Sequence, residues 1–504
     1  MLNFTKGLLV VTTLIGMSCT NTDQEPTSRN GNTTEMTQRQ EIDFNFGWKF
    51  SLAESLEKEA LVYSEDFDDS QWRDIRLPHD WSIEAEYSQI NTAGATGYLP
   101  DGKGWYRKRF NTPVSHTGDE VSVSQRKTQI LFDGVYNHSK VWINGHLLGE
   151  RPYGYSAFHY DLTPYLHTNG QENLIAVYVD HSRYVDSRWY TGSGIYRNVK
   201  LISTHKTHIP IWGSYVTTPK VDTSQATVLI ATTVQNDSFG DKELVVLTEL
   251  KDNTGKTIAK TEKTITVPTT THTKVSQTLN INHPQLWSPD SPILYSVVTS
   301  LIENNKRIDS NTVTTGLRYF NNDPQKGFFI NGKPTKIKGV NIHHDGGLVG
   351  SAVPKGVWKR RLQTLKDAGV NAIRTAHNPA STEFLDLCDE MGFLVQAEAF
   401  DEWDNPKDKR KNFNQSGEVD YITESYSQYF GQWAERDIKA MLLRDRNHPS
   451  IFQWSIGNEV EWTYPRYTQA TGYWDKRNSG KHNYYWDVPP TLKKKSKNVL
   501  MTLP

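Results

Sequence analysis

The stretch that decides the fold is Ile451-Phe452-Gln453-Trp454-Ser455-Ile456-Gly457-Asn458-Glu459. Its first six residues are mostly apolar and predict a buried strand, and Gly-Asn-Glu follows where that strand ends. Arg446-Asn447-His448-Pro449-Ser450 lies directly upstream. Enzymes built on a parallel β/α barrel keep their chemistry at the carboxyl ends of the strands. We therefore expect Glu459 to lie at the rim of an active site.

Three strand–helix repeats precede this stretch. Runs at 336–342, 371–374 and 394–397 predict strands, the first of them a buried strand, and residues with helical spacing separate them. Such alternation is typical of a parallel sheet, either open or closed into a barrel. With 451–456 as the fourth strand, the chain carries four β/α steps, which is half of a (β/α)8 TIM barrel. We place this partial barrel in residues 319–504.

Two β-rich blocks precede the predicted barrel. Residues 42–206 contain short strands and a strong hairpin turn signal, Asn144-Gly145, and are typical of a β-sandwich. Residues 207–318 contain about seven strand-like runs, as an immunoglobulin-like β-sandwich without its disulfide would. The predicted fold class is therefore multidomain, with two β-sandwiches followed by a partial TIM barrel.

The amino terminus predicts export. Lys6 is followed by an apolar run at 8–17, which is too short to span a bilayer but suits a signal peptide. Ser18-Cys19 then resembles a bacterial lipoprotein site with Cys19 as the lipidated residue, and ordinary cleavage is the alternative. We assign 1–19 to a signal peptide of the lipoprotein type and 20–41 to a flexible tether. The expected location is periplasmic or outer-membrane-anchored.

The composition excludes several classes of partner. A net charge of −1 shows no electrostatic footprint for nucleic acid or for an anionic membrane. Membrane contact is therefore expected only through the lipid anchor. Two cysteines exclude a disulfide framework. The 15 Trp and 24 Tyr suit β-rich cores and also sites where rings stack on sugars. The oligomeric state stays open and includes a homo-oligomer.

Polar residues collect where each predicted barrel strand ends. The clusters occupy residues 341–345, 374–378, 398–404 and 458–459. One such cluster alone would be read as a helix cap or a solvated loop. Because the carboxyl ends of parallel barrel strands share one rim, four clusters in succession favour an active-site cleft.

Four motifs resemble glycoside hydrolase family 2, which contains β-galactosidases, β-glucuronidases and β-mannosidases. They are Trp105-Tyr106-Arg107-Lys108, Ser193-Gly194-Ile195-Tyr196-Arg197, Leu286-Trp287-Ser288-Pro289 and the pairing of 446–450 with 457–459. The resemblance covers residues 44 to about 485. It implies a sugar-binding sandwich of the jelly-roll type, an immunoglobulin-like sandwich and a catalytic TIM barrel. It also implies hydrolysis of terminal β-galactosides in oligo- or polysaccharides, since 343–347 and 399–403 look like bacterial galactosidases.

Carried over by position, the resemblance makes Glu459 the general acid/base of a retaining glycosidase. It implies that Asn458 hydrogen-bonds the sugar 2-hydroxyl. His377, in an Arg-x-x-His-x-Pro pattern, would contact the substrate, and a core histidine is its alternative. The other candidate substrate-binding residues are Asp186 in the first sandwich, Glu402 after the third barrel strand, and Trp462.

Glu402 lies near a position that helps to bind magnesium in some family members. Those members have a histidine two places further on, where this chain has Asp404. We therefore expect no metal and no cofactor, and a substrate-facing role for Glu402.

Retaining hydrolysis needs a second carboxyl group about 5–5.5 Å from the first, which acts as the nucleophile. The resemblance implies that this glutamate follows the seventh strand, whereas the last glutamate here is Glu461. We therefore expect a barrel truncated before its nucleophile, impaired activity and open sheet edges. The alternatives are a non-catalytic carbohydrate-binding surface protein, and a β-glucuronidase or β-mannosidase of the same family.

Overall fold

The computed structural model describes residues 39–55, 61–90, 92, 94–113, 125–182, 186–404, 407 and 426–460. These residues belong to one compact unit, Thr37–Pro504. The predicted signal peptide, most of the tether, Cys19 and Trp462 lie outside the described residues. Each described helix is too short or too polar to cross a bilayer.

The first β-rich block folds into two antiparallel sheets. Their strand orders are β1-β10-β5-β8 and β3-β2-β4-β9-β6-β7, with the bounds β1 (Gln40–Asp43), β2 (Trp48–Leu52), β3 (Arg73–Ile75), β4 (Gly102–Phe110), β5 (Arg126–Phe132), β6 (Ser139–Ile143), β7 (His146–Arg151), β8 (Phe158–Asp161), β9 (Asn173–His181) and β10 (Val199–His205). One core contains Phe132 of β5 together with Tyr106 of β4, so the sheets face each other. The predicted hairpin is confirmed, because Asn144 and Gly145, at φ 47° and 80°, connect β6 to β7.

The second block is also a sandwich. Its strands are β11 (Thr207–His208), β12 (Ser214–Val221), β13 (Gln225–Asn236), β14 (Lys242–Lys251), β15 (Thr257–Val267), β16 (His272–Asn282), β17 (Tyr295–Glu303) and β18 (Lys306–Thr315). The long strand β13 pairs with β16 along one edge and with β12 and β11 along the other, and the second sheet has the order β15-β14-β17-β18. Burial alternates along β13 and β14, as the alternating apolar residues predict.

A small antiparallel sheet, to which the sequence analysis assigns no element, leads into the barrel. It consists of β19 (Phe320–Asp323), β20 (Gly327–Ile330) and β21 (Lys333–Pro334). Asn331 and Gly332, at φ 52° and 75°, form the turn between β20 and β21. This is the same Asn-Gly hairpin signal as at 144–145, so the sequence contained a usable clue.

The partial barrel is confirmed as four parallel strands with helices between them. The elements are β22 (Gly339–Ile342), α1 (Lys355–Asp367), β23 (Ala372–Thr375), α2 (Thr382–Met391), β24 (Leu394–Glu398), α3 (Ser427–Asp445) and β25 (Ile451–Ser455). The strand order β22-β23-β24-β25 follows the chain. Helix α2 shows why these residues are helical, because the Ser381 side chain caps its amino end and Gly392, at φ 72°, ends it in the left-handed conformation.

The prediction of a buried first barrel strand is wrong. The strand begins at Gly339 rather than at 336, and its residues alternate between exposed and half-buried. Within the described part of the chain, β22 pairs only with β23, and β25 only with β24. Trp454 on β25 is 37% exposed, since no further described strand pairs with β25. Among the described residues, no further strand covers the outer edges of β22 and β25, as expected for half of a barrel.

The segment 446–450 joins the barrel to the second sandwich. Asn447 donates to the Ser214 carbonyl and accepts from the Val216 amide, both at 2.9 Å. Arg446 donates to the carbonyl of Trp212 at 2.9 Å. His448 contacts Asp389 of α2 within the barrel. This motif therefore holds domains and elements together, and the described contacts give it no place in the cleft.

Candidate active site

Buried hydrogen bonds join the carboxyl ends of β23, β24 and β25. Arg374 on β23 donates to both carboxylate oxygens of Glu398 on β24 and to Oδ1 of Asn458, each at 2.9 Å. Glu398 is fully buried, also accepts from Ser455 Oγ at 2.8 Å, and lies 2.6 Å from Nδ1 of His377. Because a buried carboxylate is stable only when it is paired, this network holds the rim in one arrangement.

One carboxylate oxygen of Asp401, just after β24, accepts hydrogen bonds from three donors. Its Oδ1 accepts from Asn458 Nδ2 at 2.8 Å and from Arg188 Nη2 and Lys407 Nζ at 2.9 Å. Burial alone would raise the pKa of Asp401, but Lys407 and Arg188 hold it well below its usual range. Asp401 therefore stays ionised and serves as an anchor for these groups.

Glu459 lies between the same two cations. Its Oε2 is 3.5 Å from Arg188 Nη2 and 3.6 Å from Lys407 Nζ, and its side chain is 35% exposed. Its backbone has φ 49°, a left-handed conformation that is uncommon for a residue other than glycine. Unlike Glu398 and Asp401, this carboxylate is open to solvent at the rim and can meet a ligand.

A cavity that is partly open to solvent lies between the first sandwich and the barrel. It brings together Asp186, His377 and Glu402, three residues that the sequence analysis selected from distant segments. Its other lining residues are mainly aromatic and include Tyr136, Tyr153, Tyr155, Trp189, Tyr426 and Tyr429.

Asp186 is held in the wall of this cavity by the first sandwich. Its Oδ2 accepts from the Tyr136 hydroxyl at 2.7 Å and from Asn137 Nδ2 at 2.9 Å, and it is 3.6 Å from His181 Nε2. Burial alone would raise the pKa of Asp186, but His181 and these hydrogen bonds keep it below its ordinary value. Oδ1 of Asp186 and Oδ1 of Asn137 have no hydrogen-bond partner within the described part of the chain. Two buried acceptor atoms in the wall of the cavity are thus unpaired among the described residues.

Aromatic rings from both domains meet beside these acceptors. Trp189 of the first sandwich stacks on His343 with ring centroids 5.0 Å apart, and His377 lies edge-on to Trp189 at 5.5 Å. Burial lowers the pKa of His343, and neighbouring His377 lowers it further. The neutral His343 ring supports Trp189, which lines the cavity and offers an aromatic surface suited to the C–H faces of a sugar.

The structure brings together the predicted site residues that it describes. Asn458 and Glu459 lie at the end of β25, and Glu402, which is buried, accepts from the backbone amide of Lys407 at 2.8 Å. Four residues of the site were not predicted from the sequence: Arg188, Trp189, Asp401 and Lys407. Asp401 lay in a recognised polar cluster, but Lys407 carried no signal, since it is one of several basic residues in the polar stretch 405–411.

The surroundings of Glu402 bear on the prediction that no magnesium binds there. Among the described residues, Glu402 and Asp404 belong to no group of three acidic or histidine side chains close enough to share an ion. The group that does meet this spacing is Asp386, Asp389 and His448, away from the cleft. There His448 Nδ1 lies 2.6 Å from Asp389 Oδ2, so an ion pair takes up the donor atoms.

Comparison with known families matches the chain in three successive parts. The sugar-binding domain of glycosyl hydrolases family 2 matches residues 43–205, a second model of that family matches 207–318, and its TIM barrel domain matches 323–478. In chain order, the three matched ranges correspond to the first sandwich, the second sandwich and the partial barrel described above.

Similar proteins and structures carry related names. The chain is 44% identical to β-galactosidase BoGH2A of Bacteroides ovatus, over 84% of this chain and 47% of that protein. It is 40% identical to a putative β-glucuronidase of Formosa agariphila, over 84% of this chain and 38% of that protein. The crystal structure of a family 2 member from Bacteroides cellulosilyticus superposes with a TM-score of 0.76 at 37% identity, covering 84% of this chain and 52% of that one. The chain thus spans about half the length of these relatives, and it belongs to glycoside hydrolase family 2.

Proposed function

We propose that this chain supplies the acid/base side of the active site in a retaining β-glycosidase that removes terminal β-galactosyl units from oligo- or polysaccharides. The observation that carries the proposal is the placement of Glu459, an accessible carboxylate beside a cavity with unpaired acceptors and aromatic walls. Glu459 would protonate the leaving glycosidic oxygen and then take a proton from the attacking water.

Asn458 suits a supporting role. One hydrogen of Nδ2 is used by Asp401, and one lone pair of Oδ1 by Arg374. Since an amide has two hydrogens and two lone pairs, the contacts within the described residues leave one of each for the sugar 2-hydroxyl. An interaction with that hydroxyl strengthens in the transition state and therefore favours turnover.

The nucleophile of a retaining enzyme approaches the opposite face of the sugar ring. Asp401 and Glu402 lie on the same side of the rim as Glu459, and Asp401 is bound to two cations. We therefore assign the nucleophile to a carboxylate outside the described residues.

The charge of the cavity favours a neutral sugar over a uronic acid. The Oδ1 atoms of Asp186 and Asn137 have no described donor, and Asp401 and Glu402 bring the carboxylates in the wall to three, of which Asp401 is paired with Arg188 and Lys407. Sugar hydroxyls can donate to these atoms, whereas a uronate carboxylate would be repelled. This supports a β-galactoside rather than a β-glucuronide substrate.

The test compares 4-nitrophenyl β-galactoside, β-glucuronide and β-mannoside as substrates of the full natural gene product. We expect kcat/KM to be at least about 100-fold higher for the galactoside than for the glucuronide, because unpaired acceptors strongly disfavour a substrate that cannot satisfy them. In Asp186→Asn, removal of the negative charge should reduce this preference. A faster reaction with the glucuronide would contradict the galactosidase assignment. Galactose binding without turnover would instead favour a carbohydrate-binding protein.

We further propose that the protein is exported and anchored through a lipid on Cys19. Support comes from Lys6, the apolar run at 8–17 and the Ser18-Cys19 pair. Wild-type protein should incorporate labelled palmitate and sediment with membranes. Cys19→Ser should lose the label and become soluble. Unlabelled, soluble wild-type protein would instead indicate ordinary signal-peptide cleavage.

A further inference from the structure

The ammonium group of Lys407 is buried against the segment that carries Glu459. Its Nζ donates to the carbonyl of Asn458 at 2.6 Å and to Asp401 Oδ1 at 2.9 Å, and lies 3.6 Å from Glu459 Oε2. The backbone amide of the same residue donates to Glu402. Lys407 therefore connects the loop after β24 with the carboxyl end of β25.

Burying this ammonium is unfavourable unless it is well paired. The Lys407 side chain is only 5% exposed. Burial lowers its pKa, Asp401 opposes that effect and nearby Arg188 adds to it. A lysine that served only to cover an apolar surface would keep its ammonium in water. Here the ammonium is buried and contacts three acceptors, so the side chain is placed to bind these acceptors and not to cover an apolar surface.

The backbone next to Lys407 needs support. Glu459 has φ 49°, and the carbonyl bound by Lys407 belongs to the peptide bond directly before it. The amide of Asn458 donates to the Phe400 carbonyl at 2.9 Å, so the peptide groups on both sides of Asn458 are held. Left-handed residues other than glycine persist where the surroundings impose them, typically at functional sites.

We propose that Lys407 is a positioning residue for Glu459. Its ammonium holds the Asn458–Glu459 peptide in the orientation that directs the Glu459 carboxylate into the cleft. Arg188, from the first sandwich, is the second cation beside that carboxylate. The inference rests on the proposed role of Glu459 as the acid/base.

The kinetic test uses Lys407→Met and Lys407→Arg, with Lys366→Met as a matched control. Lys366 also binds backbone carbonyls, those of Pro289, Met391 and Gly392, but it lies at the joint with the second sandwich. Substrates are phenyl and 2,4-dinitrophenyl β-galactoside, of which only the phenyl leaving group needs protonation. In Lys407→Met, kcat/KM should fall about 100-fold for phenyl but less than about fivefold for dinitrophenyl. Lys407→Arg should restore most of the loss, and Lys366→Met should affect both substrates equally.

An equal loss on both substrates in Lys407→Met, or no loss on either, would overturn the inference. A crystal structure of the Lys407→Met protein provides a readout that needs no turnover. The Asn458–Glu459 peptide should rotate and Glu459 should leave the left-handed region. A peptide unchanged from wild type would overturn the positioning role. If Lys407→Met does not fold, Lys407→Gln serves for both measurements. Absence of turnover in the full natural gene product would contradict the proposed function, while the crystal structure would still decide the role of Lys407.

Discussion

Replacement of Glu459 by alanine should lower kcat/KM for phenyl β-galactoside by about 10²- to 10⁴-fold, the range that general acid–base catalysis contributes. With 2,4-dinitrophenyl β-galactoside the loss should be much smaller, because this leaving group departs without a proton. Azide should accelerate turnover of the activated substrate in Glu459→Ala, since a small anion can enter the vacated space and attack without a base. The measurements are steady-state kinetics and identification of galactosyl azide.

The matched control is Glu435→Ala. Glu435 is an exposed residue of α3 that forms an ion pair with Lys439 and has no described contact with the cleft. It should leave both substrates unaffected. Glu459→Gln keeps the shape of the side chain but cannot donate a carboxyl proton, so it should resemble Glu459→Ala on the phenyl substrate. Wild-type rates in Glu459→Gln would show that another group acts as the acid.

The ion pair of His448 and Asp389 should make the stability of the chain depend on pH. Burial alone would lower the pKa of His448, but the Asp389 carboxylate, 2.6 Å away, together with Asp445 and Asp386, raises it to about 9 from 6.5. A shift of this size corresponds to about 3 kcal/mol, at about 1.4 kcal/mol per pKa unit. Because the folded-state pKa is raised, the stabilisation is complete below pH 6.5 and is lost as pH rises through 9.

Urea unfolding of wild type and His448→Gln, followed at pH 6 and pH 9.5, tests this prediction. At pH 6 the wild type should be more stable by about 3 kcal/mol, and at pH 9.5 the difference should largely disappear. Asp437, a buried residue whose pKa is raised to about 7 by desolvation, titrates in both proteins and cancels in the comparison. His272→Gln, at an exposed strand position, is the control, and its free energy of unfolding should equal that of the wild type at both pH values. A difference that does not change with pH would show that His448 acts through packing and not through charge.

The sequence predicted most of the regular structure because the responsible interactions are local. Alternating apolar residues specify β13 and β14, and the Ser381 cap with Gly392 delimits α2. The error at β22 arose because 336–342 has a strand-like pattern, but burial depends on neighbours that a pattern does not contain. The small sheet of β19, β20 and β21 was missed although Asn331-Gly332 marked its turn.

In the candidate site, too, some features were predicted from the sequence and others were shown only by the structure. Strand periodicity placed Asn458 and Glu459 at a barrel rim, and the resemblance selected Asp186, His377 and Glu402. Residues 446–450 were selected as a motif of the family. Their described contacts show that they join the barrel to the second sandwich. A motif can mark a family because it fixes the packing that the chemistry requires.

The sequence by itself determined the family, the order of the domains and the position of one carboxylate at the end of a strand. Only the tertiary structure decided what surrounds that carboxylate. Arg188 and Glu459 are 271 residues apart in the chain, and Lys407 belongs to a loop without periodicity. The physical reason is that strands and turns depend on neighbouring residues, whereas the charges facing Glu459 converge only when the first sandwich packs against the barrel.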